Sequence, residues 1–380
     1  MPDKELGEDE KWWAARQPWL LSRGYELRPR YRPGWTPSWL GTPQHRMYAE
    51  DAECSLYPSV LDAVRIDDRR PVMLKRVDLA HGPSEIDMII ALRSPPLSTD
   101  PRNHCTPLLD VLHVPDSSGT RIMVLPLLHH YSNPRFDTVG EAIGCILQIT
   151  ECVQFLHENK IAHRDVHLFN IMMDAFPLSD IPFHPMRQAM RRDLRGKWRA
   201  KYTRTERPVR YYLIDYGNST RYESVDPPPL ETPILPGDKS VPEFVGDDPS
   251  RPFSGLAKPH NPFPADIYCL GNWIRQEFLD VSMLHSTGRY TGHSRRIGME
   301  FLRPLVNDMV QADPFKRPTI DEVVTRLETI VFSLTAWKLR SRIAKAGDTL
   351  LYSTYLAVTH WARCARFVIT RRPAVPSPSI

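Results

Sequence analysis

The sequence predicts an α+β fold in two compact units, and three observations carry that expectation. The chain has 380 residues, 41% of them apolar, which is enough for two units with buried cores. Short apolar runs of β type stand at residues 72–77, 121–124, 171–173 and 211–214. Between them, residues 141–157 place Ile143, Ile146, Leu147, Thr150, Val153, Phe155 and Leu156 at helical spacing.

Taken in order, the first fifty residues combine Pro18, Pro29, Pro33, Pro37 and Pro43 with Trp12, Trp13, Trp19, Trp35 and Trp39. The prolines exclude long helices, and the tryptophans call for a surface to pack on. The segment reads as an arm laid over the first unit, or as a docking surface for a partner. A strand at 72–77 is followed by the Glu-led helical run 85–92. A second strand at 121–124 runs into Leu125-Pro126-Leu127-Leu128, and the long helix follows. The apolar runs 171–173 and 211–214 bracket a basic segment, 175–208. It holds Arg187, Arg191, Arg192, Arg195, Lys197, Arg199, Lys201, Arg204 and Arg207, with Trp198 and Tyr202 interleaved. That segment reads as a docking site for an acidic partner or as a solvated helix on a loop that tolerates growth, and the fold is expected to survive its removal. Residues 227–242 are proline-rich and extended. The tail, 334–380, is basic and amphipathic, suited to packing back on the protein or to lying on an anionic membrane surface.

Composition bounds the rest. A net charge of +4 gives no reason to expect a specific nucleic-acid partner. Cys54, Cys105, Cys145, Cys152, Cys269 and Cys364 have no paired spacing, which argues against a metal ribbon or a disulfide framework and for a reducing compartment. No signal-like apolar segment opens the chain, and no run approaches the ~18 uninterrupted apolar residues of a spanning helix. The expectation is an intracellular protein, cytoplasmic or nuclear.

The chemistry is concentrated in His163-Arg164-Asp165-Val166-His167-Leu168-Phe169-Asn170 and in Asp215-Tyr216-Gly217. Alone, a His-Arg-Asp tripeptide reads as a buried histidine beside a surface ion pair. Here it follows the long helix and precedes two short strands. It resembles the catalytic loop of protein kinases, and Asp215-Tyr216-Gly217 resembles the Asp-Phe-Gly element. Further matches follow in chain order. Residues 72–77 resemble the third-strand Val-Ala-Ile-Lys motif through Lys75. Glu85 stands where the αC glutamate is expected, with Asp87 as competitor. Pro242-Glu243 looks like the end of the Ala-Pro-Glu element. Residues 266–271 look like the start of the central large-lobe helix. Arg317 within Asp313–Thr319 looks like the closing arginine that pairs with Glu243. The chain is thus similar to the eukaryotic protein kinase family over roughly residues 51–333. The Trp-rich arm, Asn103-His104-Cys105 and Ile171-Met172-Met173-Asp174 are also similar to the expanded kinase-like proteins of mushroom-forming fungi.

What the resemblance implies is specific. The fold would be bilobal and protein-kinase-like, with a mostly β N-lobe at 51–128 and a mostly helical C-lobe at 129–333 that includes the insertion 175–208. Residues 1–50 and 334–380 would be additions. The activity would be ATP- and Mg2+-dependent phosphoryl transfer to a hydroxyl of a protein substrate. Asp165 would orient and deprotonate that hydroxyl, and Asn170 and Asp215 would bind magnesium. Lys75, held by Glu85, would align the ATP phosphates. Pro126 (through its carbonyl) and Leu128 (through its amide) would hold adenine over Met172. Arg164 would order a phosphorylated activation segment, with Ser219, Thr220, Ser224 and Thr232 as candidate sites.

Three departures stand against the pattern. Residues 51–60, expected to join two strands, contain no glycine, whereas close backbone approach to phosphate needs it; acidic Asp51 and Glu53 would repel phosphate as well. His167 stands where serine/threonine kinases carry lysine, so serine or threonine is favoured on general frequency alone. Tyr216 replaces phenylalanine and needs a partner for its hydroxyl if buried. The alternative to an active enzyme is a pseudokinase scaffold that keeps the fold without turnover. A small-molecule kinase is disfavoured by the Pro-Glu, Asp266 and Arg317 elements.

Overall fold

The computed structural model describes residues 5–43, 45–55, 57–81, 84–233, 238–244, 259–280, 296–345 and 349–378. The chain is a mixture of helices and antiparallel strands and divides into two compact units. The first comprises residues 1–93, 106–129 and 174–201, and the second residues 94–105, 130–173 and 202–380.

The first unit is built on a five-stranded antiparallel sheet. Its strands are β1 (Tyr25–Leu27), β2 (Val60–Arg65), β3 (Pro71–Asp78), β4 (Asp110–His113) and β5 (Thr120–Pro126), in the order β1-β2-β3-β5-β4. The period of two puts Leu61, Ala63, Val72, Leu74, Ile122 and Val124 in one buried cluster. The N-terminal segment closes that cluster. Helices α1 (Glu8–Ala15) and α2 (Gln17–Ser22) contribute Trp13 and Leu20, and β1 contributes Tyr25 and Leu27. Glu8, Asp9 and Glu10 suit the N-terminus of α1, where the Glu10 carboxylate accepts the Gly7 amide at 3.0 Å. Residues 1–50, expected as an arm laid over the first unit or as a docking surface, therefore supply a strand and part of its core. Tyr25-Glu26-Leu27 is too short, among prolines, to show a strand period.

The segment 174–201 also differs from its expectation. It holds no α-helix and is not a loop on the second unit. It folds as irregular chain within the first, with Leu178, Phe183, Leu194 and Trp198 buried. Isolated bridges join Phe183 to Arg191 and Met190 to Lys197. The Trp198 indole donates to the Ile181 carbonyl at 2.7 Å, and its ring stacks on His129. Two of its arginines neutralise acids of the N-terminal half: Arg187 meets Glu53 at 2.5 Å and Arg192 meets Asp62 at 3.3 Å. The fully buried Asp62 also lies 2.9 Å from buried Arg28. Removing one member of such a cluster strands a buried charge, which costs about 3–5 kcal/mol. The segment is thus part of the first unit.

The chain enters the second unit at β6 (His129–His130) and continues into α4 (Val139–Glu158). The Thr138 hydroxyl caps α4 by accepting the Glu141 amide at 3.0 Å. Among the described residues α4 is the single helix long and apolar enough to cross a membrane, and 83% of its apolar window is buried inside the protein. Then come β7 (Ile161–Ala162), β8 (Ile171–Met173), β9 (Tyr211–Leu213) and β10 (Thr220–Arg221). β8 pairs antiparallel with β9 and β7 with β10. Helices α5 (Pro262–Ile274), α6 (Arg303–Met309), α7 (Ile320–Ser333) and α8 (Ala336–Arg340) follow. Strand β11 (Arg296–Ile297) pairs with β12 (Ala344–Lys345), and α9 (Leu350–Ile369) ends the ordered elements.

The tail belongs to the second unit. The Asp137 carboxylate accepts from His360 and Arg363 of α9 at 2.8–3.2 Å. A Cβ on Gly140 would overlap the Ala374 carbonyl, so the glycine in α4 is what admits the chain after α9.

Candidate active site

The first unit holds Lys75, Glu85, Pro126 and Leu128. Lys75 stands in β3, paired with Val60 on one side and Met123 on the other, at the middle of the sheet. Its Nζ lies 2.6 Å from Glu85 Oε1, on α3 (Ser84–Arg93). Asp87, the competitor, is exposed on the same helix, whereas Glu85 is buried. Leu128 is buried, and its carbonyl accepts the Gln188 side-chain amide at 3.2 Å. Gln188, in the basic segment, carried no signal in the sequence.

The connection between β1 and β2 runs over residues 28–59 and is not a phosphate loop of glycines. Its acidic residues serve the protein itself. Asp51 accepts from the Trp35 indole and the Ser38 amide at 2.9 Å, and from the Ser38 hydroxyl at 2.5 Å. Burial opposes its charge, but these donors hold the carboxyl below the usual carboxylate range. With Glu53 paired to Arg187, the repulsion of phosphate expected from both acids is offset within the unit. Leu56 of this connection lies outside the described residues.

The second unit brings together Asp165, Asn170 and the chain leading to Asp215. Asp266, buried in α5, fixes the loop: its carboxylate accepts the backbone amides of His163 and Arg164, each at 2.8 Å. His157, at the end of α4, adds a ring nitrogen 3.1 Å from the same carboxylate. Arg164 takes a positive φ of 67°, a strained geometry that these amide bonds sustain. Asn170 Nδ2 donates to the Asp165 carbonyl at 2.9 Å and to its carboxylate at 3.0 Å. The Asn170 carbonyl accepts the Ile214 amide at 2.9 Å, which places Asp215 one residue beyond that bond. Asp215 also has positive φ, 67°. Met172 lies half-buried in β8.

His163 and His167 bear on Asp165 in different ways. His163 is fully buried; burial pushes its pKa down, and its Nδ1 accepts the Asp165 amide at 3.2 Å. His167 Nδ1 accepts the Phe169 amide, so its proton sits on Nε2, which lies 3.2 Å from Asp165 Oδ1. His167, which stands where the resembled family carries a lysine, thus faces the Asp165 carboxylate. The Tyr216 hydroxyl, also buried, donates to the Leu213 carbonyl at 3.2 Å.

The activation-segment candidates separate by environment. The buried Ser219 hydroxyl donates to the His163 carbonyl at 3.1 Å, and the Thr220 hydroxyl accepts from Arg164 at 3.1 Å. The Ser224 hydroxyl bonds the Asp226 backbone. Thr232 is exposed, and its carbonyl accepts from Arg164 at 3.2 Å. Of the proline-rich stretch, residues 234–237 lie outside the described residues. Glu243 is held by both arms of the Arg317 guanidinium, at 2.6 and 2.8 Å.

Among the described residues no three His, Cys, Asp or Glu side chains form a metal-holding group. Asn170 and Asp215 offer two oxygen donors, a small set that suits magnesium, which keeps waters and substrate oxygens as its other ligands. Because Nδ2 of Asn170 is committed to Asp165, its Oδ1 is the atom left for a cation. Lys75 fits a phosphate as a fixed cation, while the connection 28–59 supplies no glycine cradle.

No model of a known protein family matches the chain, and no curated protein matches it.

Proposed function

We propose that this chain is a protein kinase that transfers the γ-phosphoryl group of ATP, with Mg2+, to a serine or threonine hydroxyl of a protein substrate. The observation that carries the proposal is the loop around Asp165: a buried Asp266 holds two of its amides, and Asn170 fixes the carboxylate from within the loop. Bound ATP and magnesium supply the transferable group and the cationic charge that stabilises it. Asp165 orients the acceptor hydroxyl and takes its proton. Asn170 and Asp215 present oxygens to the cation, and Lys75, aligned by Glu85, binds phosphate oxygens. The bilobal, kinase-like fold is part of the same proposal. It is supported by a sheet unit that carries the Lys75–Glu85 pair and a helical unit that carries the loop.

A second reading, a pseudokinase scaffold, is favoured by one observation, the long connection 28–59 in place of a glycine loop. The exposed cations Arg191, Arg195, Lys197 and Arg199 extend either reading to an acidic protein partner. Magnesium-dependent ATP binding by calorimetry separates the two readings. Wild type should bind, with weaker binding in Lys75→Ala and Asp215→Asn, and Asp165→Asn should bind but not turn over. A folded wild type that binds no ATP would establish the scaffold.

A further inference from the structure

Helix α9 turns its mixed polar side inward and an apolar side outward. His360, Cys364 and Phe367 are buried, with His360 and Arg363 on Asp137. On the outer side Leu351, Tyr355, Val358, Ala362, Ala365 and Ile369 follow one another at alternating steps of four and three, which makes a single stripe along the helix. The stripe is bare over its whole length: Leu351 is 86% exposed, Tyr355 65%, Val358 67% and Ile369 81%. Exposed Leu350 and Val368 widen it beyond the narrow seam of a coiled coil. The exposed Trp361 meets Trp337 of α8 edge-on at 5.1 Å and extends it sideways. Contiguous apolar surface of this kind marks an interaction site.

We propose that this face rests on an anionic lipid surface, with α9 lying parallel to it. Charge argues for that occupant. Residues 349–378 contain no aspartate or glutamate, residues 350–359 carry no charge at all, and Arg371 and Arg372 are exposed where the helix ends. Tryptophan and tyrosine are the side chains that settle at the headgroup level, and both lie on the exposed side. A second copy of the chain fits less well. A helix of this length is about 30 Å long, and one helix laid on another falls short of the roughly 1,200 Å² that a stable interface buries. A bilayer sets no such threshold, and a flat, wide stripe matches a flat surface.

The test is co-sedimentation of the full chain with phosphatidylcholine vesicles, with and without phosphatidylserine. The wild type should pellet with the anionic vesicles and stay in solution with the neutral ones. R371Q/R372Q should weaken binding by roughly fivefold per charge, and L351E/V358E should abolish it with unchanged circular dichroism. Light scattering without lipid should give a monomer. The proposal is overturned by a wild type that ignores anionic vesicles, by L351E/V358E binding as wild type does, or by a lipid-free dimer that this variant dissociates. None of these outcomes depends on phosphoryl transfer.

Discussion

Asp165 and Lys75 are held by opposite strategies. Around Asp165 the side-chain partners are neighbours in sequence: His163, His167 and Asn170 act from within five residues, and the distant Asp266 holds two amides of the loop. Lys75 pairs with Glu85 on α3, and the sheet that carries it takes its core from Trp13, Leu20, Tyr25 and Leu27, far away in the chain. A locally determined loop tolerates change elsewhere and fails abruptly when its own residues change. A non-locally determined sheet should lose stability through residues that touch no substrate.

The largest effect is expected within the loop. Asp165→Asn keeps the Asn170 contact but removes the proton acceptor, and the rate of phosphoryl transfer should fall by on the order of 10³ without loss of ATP binding. Activity retained within a few-fold would remove Asp165 from the chemistry. The sheet side should answer through stability instead. Trp198 lies in segment 174–201, far along the chain from Lys75 and Glu85, and Trp198→Ala deletes a buried ring and its bond to Ile181. A loss of about 3–5 kcal/mol in denaturant unfolding is expected. A near-neutral result would return segment 174–201 to the status of a loop.

Asp266→Asn tests the distant carboxylate that holds two amides of the loop. The amide presents an N–H to one of two backbone donors, so one charge-assisted bond is lost and a buried donor is left facing another. About 3 kcal/mol of stability should go, together with activity, although Asp266 is placed to touch no substrate. If only stability falls, Asp165 does not need the fixed amides. Glu85→Gln should act more gently: the pair is partly accessible, and about 1–2 kcal/mol of transition-state stabilisation, roughly tenfold in kcat/KM, is at stake. Its Tm should hardly move.

This contrast also explains what was legible in the sequence. The loop could be read because its partners are contiguous, and the Lys75–Glu85 and Arg317–Glu243 pairs because each lies in a recognisable run. Strands at 72–77, 121–124 and 171–173 and the helix through 141–157 carry long or clean periods, and the structure has elements at each. What was not legible is non-local. A three-residue strand among prolines shows no period, and the basic charge of 175–208 does not reveal that Arg187 and Arg192 answer Glu53 and Asp62 of the same unit. Nor does spacing reveal that His167 accepts the Phe169 amide at Nδ1 and turns Nε2 to Asp165.

The smallest expected effect concerns the tail, which is tied to its unit by a titrating pair. Burial disfavours the charged form of His360, but its bond to Asp137 prevails and pushes its pKa up to about 9, from an ordinary 6.5. Its contribution is therefore complete below about pH 6.5 and is lost as pH rises through about 9. Asp137 is shifted the other way: burial opposes its charge, yet His360 and Arg363 hold its carboxyl below the usual carboxylate range. Its share is present above the ordinary value of 3.8 and disappears as pH falls through the lowered one. Arg363 stays charged throughout and keeps part of the attachment above pH 9. Amide-exchange protection in α9, corrected for the intrinsic rate, should thus hold through neutral pH and decline modestly above pH 9, while protection in α4 does not change. His360→Gln should flatten the alkaline decline. A decline that persists in that variant would place the titrating group elsewhere and leave Arg363 as the main tie between α9 and the loop before α4.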